Sequence, residues 1–271
     1  MTALDSSWRW LPRAIALGLL AYAVFGPLAN LLLWAFAEAW FWPDKLPSRW
    51  GMRFWRDVFK PTGSSMEALW NSLWIAVLTV LLSLAVAIPA GWALARARMP
   101  GRALIMLAFL LPQAFPSLPV YINIARIFYT IGLNGTLTGV VLVHTSHGLV
   151  FAVWIATAAF ASVDRELEQA ARNLGAGPLR AFFTVTLPLA APGLVASAIF
   201  VFLESLDEFT GSFFVGAPVV KTLPLELFSS AMGGNYQISS ITALILLVPS
   251  IGFMLVVERF LKGEVLAKVG A

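Results

Sequence analysis

The chain has 271 residues, 59% of them hydrophobic and only 12% charged, with a formal net charge of +4 and no cysteine. Soluble domains carry about a quarter charged residues, so this composition, with a mean hydropathy of +0.83, excludes one and points to a polytopic membrane protein. The absent cysteines exclude disulfides, thiolate metal sites and a cysteine nucleophile, and basic residues in such a chain report orientation before any nucleic-acid partner.

A helix needs about 20 apolar residues to cross a hydrocarbon core of about 30 Å, and six stretches meet that need. The first predicted span is 13–36. Arg9 and Arg13 ahead of it mimic a signal peptide, but the apolar run is too long for one, so an uncleaved span is expected. The loop 37–67 holds Trp40, Trp42, Trp50 and Trp55, amphipathic rings that suit the headgroup zone. An interfacial segment is the expectation, with a partner surface as the alternative.

The second span is 68–94 and the third 103–124, the latter interrupted by Pro112, Pro116 and Pro119. Prolines at depth are tolerated where neighbours satisfy the freed carbonyls, so a kink there either lines a pathway or serves packing. The fourth span, 137–160, carries His144 and His147 at i, i+3. Two histidines need carboxylates from elsewhere to hold a metal, and interhelical hydrogen bonds are expected instead. The fifth and sixth spans are 189–209 and 241–261.

Loop charge orients these spans. The connection ARARMPGR has Arg96, Arg98 and Arg102 with no acid, and the tail has Arg259, Lys262 and Lys268. Short basic loops stay cytoplasmic, so this loop and both termini are expected inside. Lys45, Arg49, Arg53, Arg56 and Lys60 in the loop 37–67 run against the rule; the parity of six spans decides, and places 161–187 inside as well. No internal repeat of the kind secondary transporters carry is present, and no nucleophile–base pair supports an intramembrane enzyme.

Between the fourth and fifth spans lies LEQAARNLGAGPLRAFFTVTLP, 167–188. Leu167, Ala170, Ala171 and Leu174 fall at i, i+3, i+4 and i+7, one apolar stripe on a helix. Glu166, Gln169, Arg172 and Asn173 face away from it. Gly175 stands where a left-handed cap ends a helix, Pro178 can open a second, and Leu187–Pro188 is expected to end that one. The stripe suits lipid or protein; its two alanines favour protein.

Glu204, Asp207 and Glu208 fall at i, i+3 and i+4, hence on one predicted helical face, about 18–24 Å along the fifth span from Pro192. Ionisable groups at such depth face a cavity or a partner, and three carboxylates this close repel unless a cation compensates; Arg126 is a candidate. Phe213 and Phe214 beyond them suit either a hydrophobic gate or an interfacial anchor.

The residues QAARNLG followed by VTLP resemble the EAA loop of inner-membrane permeases of binding-protein-dependent ABC importers, with Ala170, Ala171, Gly175, Leu187 and Pro188 in register. The usual glutamate of that loop falls on Gln169, with Glu168 one place earlier, which leaves open the ion pair made there. NSLWIAVLTVLLSLAVAIPAGWALAR, and FLESLDEFTGSFFVGAP with TLP at 222–224, resemble two spans of the same family, so the likeness covers most of 68–262. It implies an all-α integral membrane protein: six transmembrane helices with a cytoplasmic coupling helix, the type I ABC importer permease fold, in one permease domain over 1–271 (core 68–262, coupling loop 164–188).

The resemblance further implies that Glu168, Gln169, Ala170, Ala171, Gly175, Leu187 and Pro188 couple the chain to a cytoplasmic ATPase, the small residues allowing an approach that larger ones would block. It makes Glu204, Asp207, Glu208 and Phe213 pathway residues. Its implied partners are a second permease (a different chain or another copy), two ATPase subunits, an extracytoplasmic binding protein and membrane lipid, in a bacterial-type inner membrane with both termini cytoplasmic. ATP and magnesium would sit on the ATPase, since this chain has no GxxxxGK[ST] phosphate loop. SLDEF is similar to the spermidine/putrescine permease group and its relatives for ferric iron and aminophosphonates. A small cationic solute such as a polyamine is the expectation, although anion-transporting relatives also carry an acid at the position of Glu208. A stand-alone secondary transporter is the alternative from another class.

Overall fold

The computed structural model describes residues 10–97 and 99–269, and for residues 11 and 256–269 the backbone alone. Arg9 and Arg98, and the side chains of Arg259, Lys262 and Lys268, lie outside the described residues. Helix α1, Leu11–Phe36, is apolar all round, the composition of a helix that faces lipid. Leu17, Leu19, Tyr22 and Phe25 all point outward, and the helix leans on α11, Tyr236–Val269.

The loop after α1 is folded. Strand β1 (Ala37–Ala39) pairs antiparallel with β2 (Arg49–Trp50), and helix α2 (Arg53–Val58) follows. Glu38 organises it, pairing with Arg49 at 3.2 Å and accepting the Arg53 backbone N–H at 3.1 Å. Trp40 stacks back on Trp34 and Trp55 on Phe36, while Trp42 and Trp50 face outward.

Three helices form the centre: α3 (Ser64–Arg96), α6 (Leu137–Ala161) and α9 (Leu187–Asp207). Helices in lipid associate through close packing, which small residues permit. A Cβ on Gly91 of α3 would stand 2.8 Å from that of Ala156, and one on Gly193 of α9 2.5 Å from that of Ala159. Around these contacts Ala87, Ala152, Val153, Phe160 and Val201 fill the core. Helix α3 begins at Ser64 rather than Ala68.

The expected third span is two helices, α4 (Arg102–Ala114) and α5 (Ser117–Thr130), bent by 94° at Phe115–Pro116. The residue before a proline is steered into extended backbone, and Phe115 has ψ 146. Each half is about 20 Å long, too short to cross alone. Among the described residues five helices are long and apolar enough to cross, and six spans result if the bent pair counts as one.

Helix α10, Leu223–Met232, begins on the TLP segment and docks on the first turns of α3. The Leu223 N–H donates to the Ser72 hydroxyl at 2.8 Å, and the Asn71 amide donates to the Lys221 carbonyl at 3.0 Å. The Ser64 and Ser65 hydroxyls both donate to buried Glu226 at 3.0 Å. Two sequence motifs far apart in the chain thereby become one packed unit.

Candidate coupling segment and acidic groove

Helix α7, Arg165–Asn173, is closed at both ends by its own chemistry. The Asp164 carboxylate accepts the Glu166 N–H at 2.9 Å, satisfying one of the free donors of the first turn. At the other end Gly175 has φ +89, its N–H meets the Arg172 carbonyl at 2.9 Å, and the Ala176 N–H meets the Ala171 carbonyl at 3.0 Å. This is the Schellman arrangement that glycine favours. Among the described residues a Cβ on Gly175 would touch nothing within 4 Å, so within this chain the need for glycine is one of backbone conformation.

Pro178 opens α8, Pro178–Ala181, as expected. The expected stop at Leu187–Pro188 is absent. A π-helical turn, Phe182–Thr186, carries the chain without interruption from α8 into α9. Leu187 donates five residues back to Phe182, and this wider turn accommodates Pro188, whose ring and missing N–H would otherwise break the register.

The apolar stripe of α7 points away from the rest of the chain. Leu174 is 91% exposed, Leu167 is about half exposed, Ala170 is exposed and Ala171 half-buried. The inward residue is Glu168, 9% exposed. Its carboxylate accepts from Arg172 at 3.0 Å and from the Thr186 hydroxyl at 3.4 Å, and lies 3.6 Å from Nε of Arg96 at the end of α3. Arg165 donates to the Ala95 carbonyl at 3.0 Å, in the last turn of α3 where a cation meets the negative end of the helix dipole.

Glu168, grouped from sequence with the contact residues, thus holds α7 to the body. Gln169, Ala170 and Gly175 are exposed, as is Pro188, and Leu187 is half-buried. Arg96, Arg165 and Thr186 escaped the sequence reading as site residues. In the sequence Arg96 reads only as loop charge, although its place at a helix end is a signal that it can reach a neighbouring acid.

The three acids of the fifth span do not share a face. Helix α9 ends at Asp207, and Glu208 is extended, with φ −71 and ψ 104. Its carboxylate accepts the Gly211 N–H at 2.7 Å and the Tyr121 hydroxyl at 3.2 Å. Glu204 lies 2.9 Å from the His147 ring, which also lies 3.3 Å from the Gln113 amide. Asp207 is exposed. The expected crowding of like charges is relieved by separation, and Arg126, offered from sequence as the compensating cation, is exposed and pairs with none of the three.

Glu204 and Asp207 do line one open groove of about 510 Å³ between α9, α10 and α11, with Phe200, Leu203 and Leu247 as apolar walls. Phe213 sits in a second π-helical turn, Ser212–Gly216, within a cluster of Phe209, Phe214 and Phe228. His144 is buried and bridges helices as expected, its two ring nitrogens each 2.8 Å from the hydroxyls of Ser205 and Ser212. Among the described residues no group of three or more metal-ligating side chains comes together.

Residues 87–263 match the family described as the binding-protein-dependent transport system inner membrane component. The chain is 32% identical over 198 residues to the trehalose transport system permease protein SugB of Mycobacterium tuberculosis, covering 71% of this chain and 72% of that one. It is 31% identical over 156 residues to the putrescine transport system permease protein PotI of Escherichia coli, covering 56% and 55%. Its fold is similar to a chain of a bacterial ABC transporter involved in the import of the acidic polysaccharide alginate, with a TM-score of 0.67 at 17% identity over 96% of this chain and 99% of that one. The family match spans the packed centre, the segment around α7 and the acids of α9: the chain belongs to the inner-membrane component family of binding-protein-dependent transport systems and is a multi-pass permease of the ABC transporter type.

Proposed function

We propose that this chain forms one half of a solute pathway in an importer of a bacterial-type inner membrane, and that α7 couples it to a separate cytoplasmic ATPase. The observation that carries this reading is the outward apolar stripe of α7 on a helix held rigidly from behind by Glu168. Leu174 and Leu167 are exposed among the described residues, and a capped helix fixed to the core transmits a push instead of absorbing it. In this reading a second permease, two ATPase subunits and an extracytoplasmic binding protein complete the assembly, and both termini lie in the cytoplasm. ATP and magnesium bind the ATPase, and ATP binding turns the pathway outward. Purification of the tagged chain from its own membranes, with mass spectrometry of what accompanies it, tests the assembly. Recovery of an ATPase and a permease is the expected result, and a chain that transports alone without ATP overturns it.

For the solute we propose a small cation of the polyamine kind. Support comes from Glu204 and Asp207 on one open groove, since carboxylates at membrane depth serve a pathway or a partner. The relatives' names span a neutral sugar, a diamine and an acidic polysaccharide, so kinship alone selects none of them. Uptake by the double variant Glu204→Gln/Asp207→Asn decides: slower transport of the cognate cation supports the reading, and unchanged transport across pH and salt removes it.

A further inference from the structure

Between the last turn of α3 and helix α7 lies a cavity of about 350 Å³ walled by Trp92, Ala93, Arg96, Arg165, Glu168 and Arg172. Three guanidiniums face it with a single carboxylate, and that carboxylate already serves Arg96, Arg172 and the Thr186 hydroxyl. Arginine does not shed its proton in a protein, and a buried charge without full compensation is costly. The side chain of Arg96 is 11% exposed, and its Nε and Nη2 have no hydrogen-bond partner. Arg165 commits one nitrogen to the Ala95 carbonyl and keeps the rest of its fork.

We infer that this cavity binds a phosphate group, carried by an anionic phospholipid or free in solution. Planar guanidinium forks match phosphate oxygens in pairs, and basic pockets between membrane helices take anionic lipid headgroups. Trp92 and Ala93 supply an apolar wall beside the charges, on the last turns of a helix that crosses the bilayer. The bound phosphate ties α3 to α7 through Arg96, Arg165 and Arg172 together, adding to the Arg96–Glu168 pair and the Arg165 bond to the Ala95 carbonyl. Binding stands on the cavity itself; the consequence, a stiffer link between α7 and the core, rests on the coupling reading.

The experiment uses the whole transporter purified from its membranes and stripped of lipid. Phosphatidylglycerol or phosphatidylcholine is added back and retained lipid is counted by native mass spectrometry; separately, inorganic phosphate is titrated against chloride at equal ionic strength while the melting temperature is followed. Wild type is expected to retain phosphatidylglycerol over phosphatidylcholine, and Arg165→Gln/Arg172→Gln to lose at least about ten-fold of that retention. Arg53→Gln/Arg56→Gln, which removes two charges from α2, is expected to keep it. A melting point raised by phosphate in wild type and not in the cavity variant assigns the site to free phosphate. Ala97→Glu, which brings a carboxylate to the cavity rim, reads the same question without removing an arginine and is expected to abolish retention. Equal retention in all variants, with no effect of phosphate, overturns the inference, and the ratio of ATP hydrolysed to solute moved reports on the coupling reading independently.

Discussion

Arg165 at the start of α7 donates to the carbonyl of Ala95, seventy residues earlier, at 3.0 Å. This bond and the Arg96–Glu168 pair fix both the first turn of α7 and its middle to one helix end. A segment that reads in the sequence as a loop between spans is therefore attached to the core more firmly than its length suggests.

Glu168→Gln removes the carboxylate that faces Arg96 and Arg172. Breaking a mostly buried pair leaves an uncompensated charge and costs about 3–5 kcal/mol. The melting temperature of the purified complex is expected to fall, and Arg96→Met added to it is expected to recover part of the loss. An unchanged melting point in Glu168→Gln shows that the pair holds nothing.

Gly175→Val forces a β-branched residue to the φ of +89 that glycine adopts there. The left-handed region costs a residue with a Cβ about 1–2 kcal/mol, and more when branched. The helix end loosens while the spans remain, so the chain is expected to insert normally but to waste ATP, measured as hydrolysis per solute moved. Gly175→Asn, which tolerates that region, is expected to be nearer wild type. Ala171→Asp is expected to uncouple in the same way.

Asp207→Asn and Glu208→Ala separate two roles that the sequence merged. Asp207 is exposed on the groove, so its neutralisation is expected to slow uptake of a cation without lowering the melting point. Glu208 accepts the Gly211 N–H and the Tyr121 hydroxyl, and orphaned donors cost about 1–3 kcal/mol each. Glu208→Ala is expected to lower the melting point first. Equal melting points in the two variants contradict the assignment.

His144→Ala removes the ring that joins the hydroxyls of Ser205 and Ser212 across three segments, leaving Ser205 without that partner while Ser212 keeps its bond to the Glu208 carbonyl. A loss of about 2 kcal/mol or more is expected in detergent unfolding, with no change in which solutes compete for uptake.

Gly91→Val and Gly193→Val test the close approach at the centre. Each added side chain meets a neighbouring alanine at less than ordinary contact distance, and overpacking costs about 1–3 kcal/mol or more. Reduced yield of folded complex is expected for both, and a normal yield contradicts the packing described.

What the sequence made legible follows from periodicity and length. Six apolar stretches, the capped α7 and the opening of α8 at Pro178 depend on local rules, and helices stand at each of those places. The first and fourth spans end within two residues of expectation, while the third reaches Thr130 and the helix of the sixth covers Tyr236–Val269. What it concealed depends on partners distant in the chain. Leu187–Pro188 reads as a stop because a proline breaks an α-helical register, and only the π turn before it removes the conflict. Glu208 reads as a helical neighbour of Glu204 because spacing cannot show that the helix ends one residue earlier. Glu168 is grouped by the resemblance with the ATPase-coupling residues, and its burial stays hidden because it is created by Arg96 and Thr186, neither of which is near it in sequence. In the third span the prolines were visible as a break, but the 94° turn they produce was not.

Helix α3 runs unbroken from Ser64 to Arg96. At 33 residues it is about 50 Å long, well beyond a hydrocarbon core of about 30 Å. Its first turn holds Glu226 through Ser64 and Ser65, and its last holds Glu168 through Arg96. Events at the two membrane surfaces are thus joined by one continuous push-rod, with Pro89 as the single internal place where the backbone ladder lacks a rung. A rotation delivered at either end arrives at the other without crossing a loop.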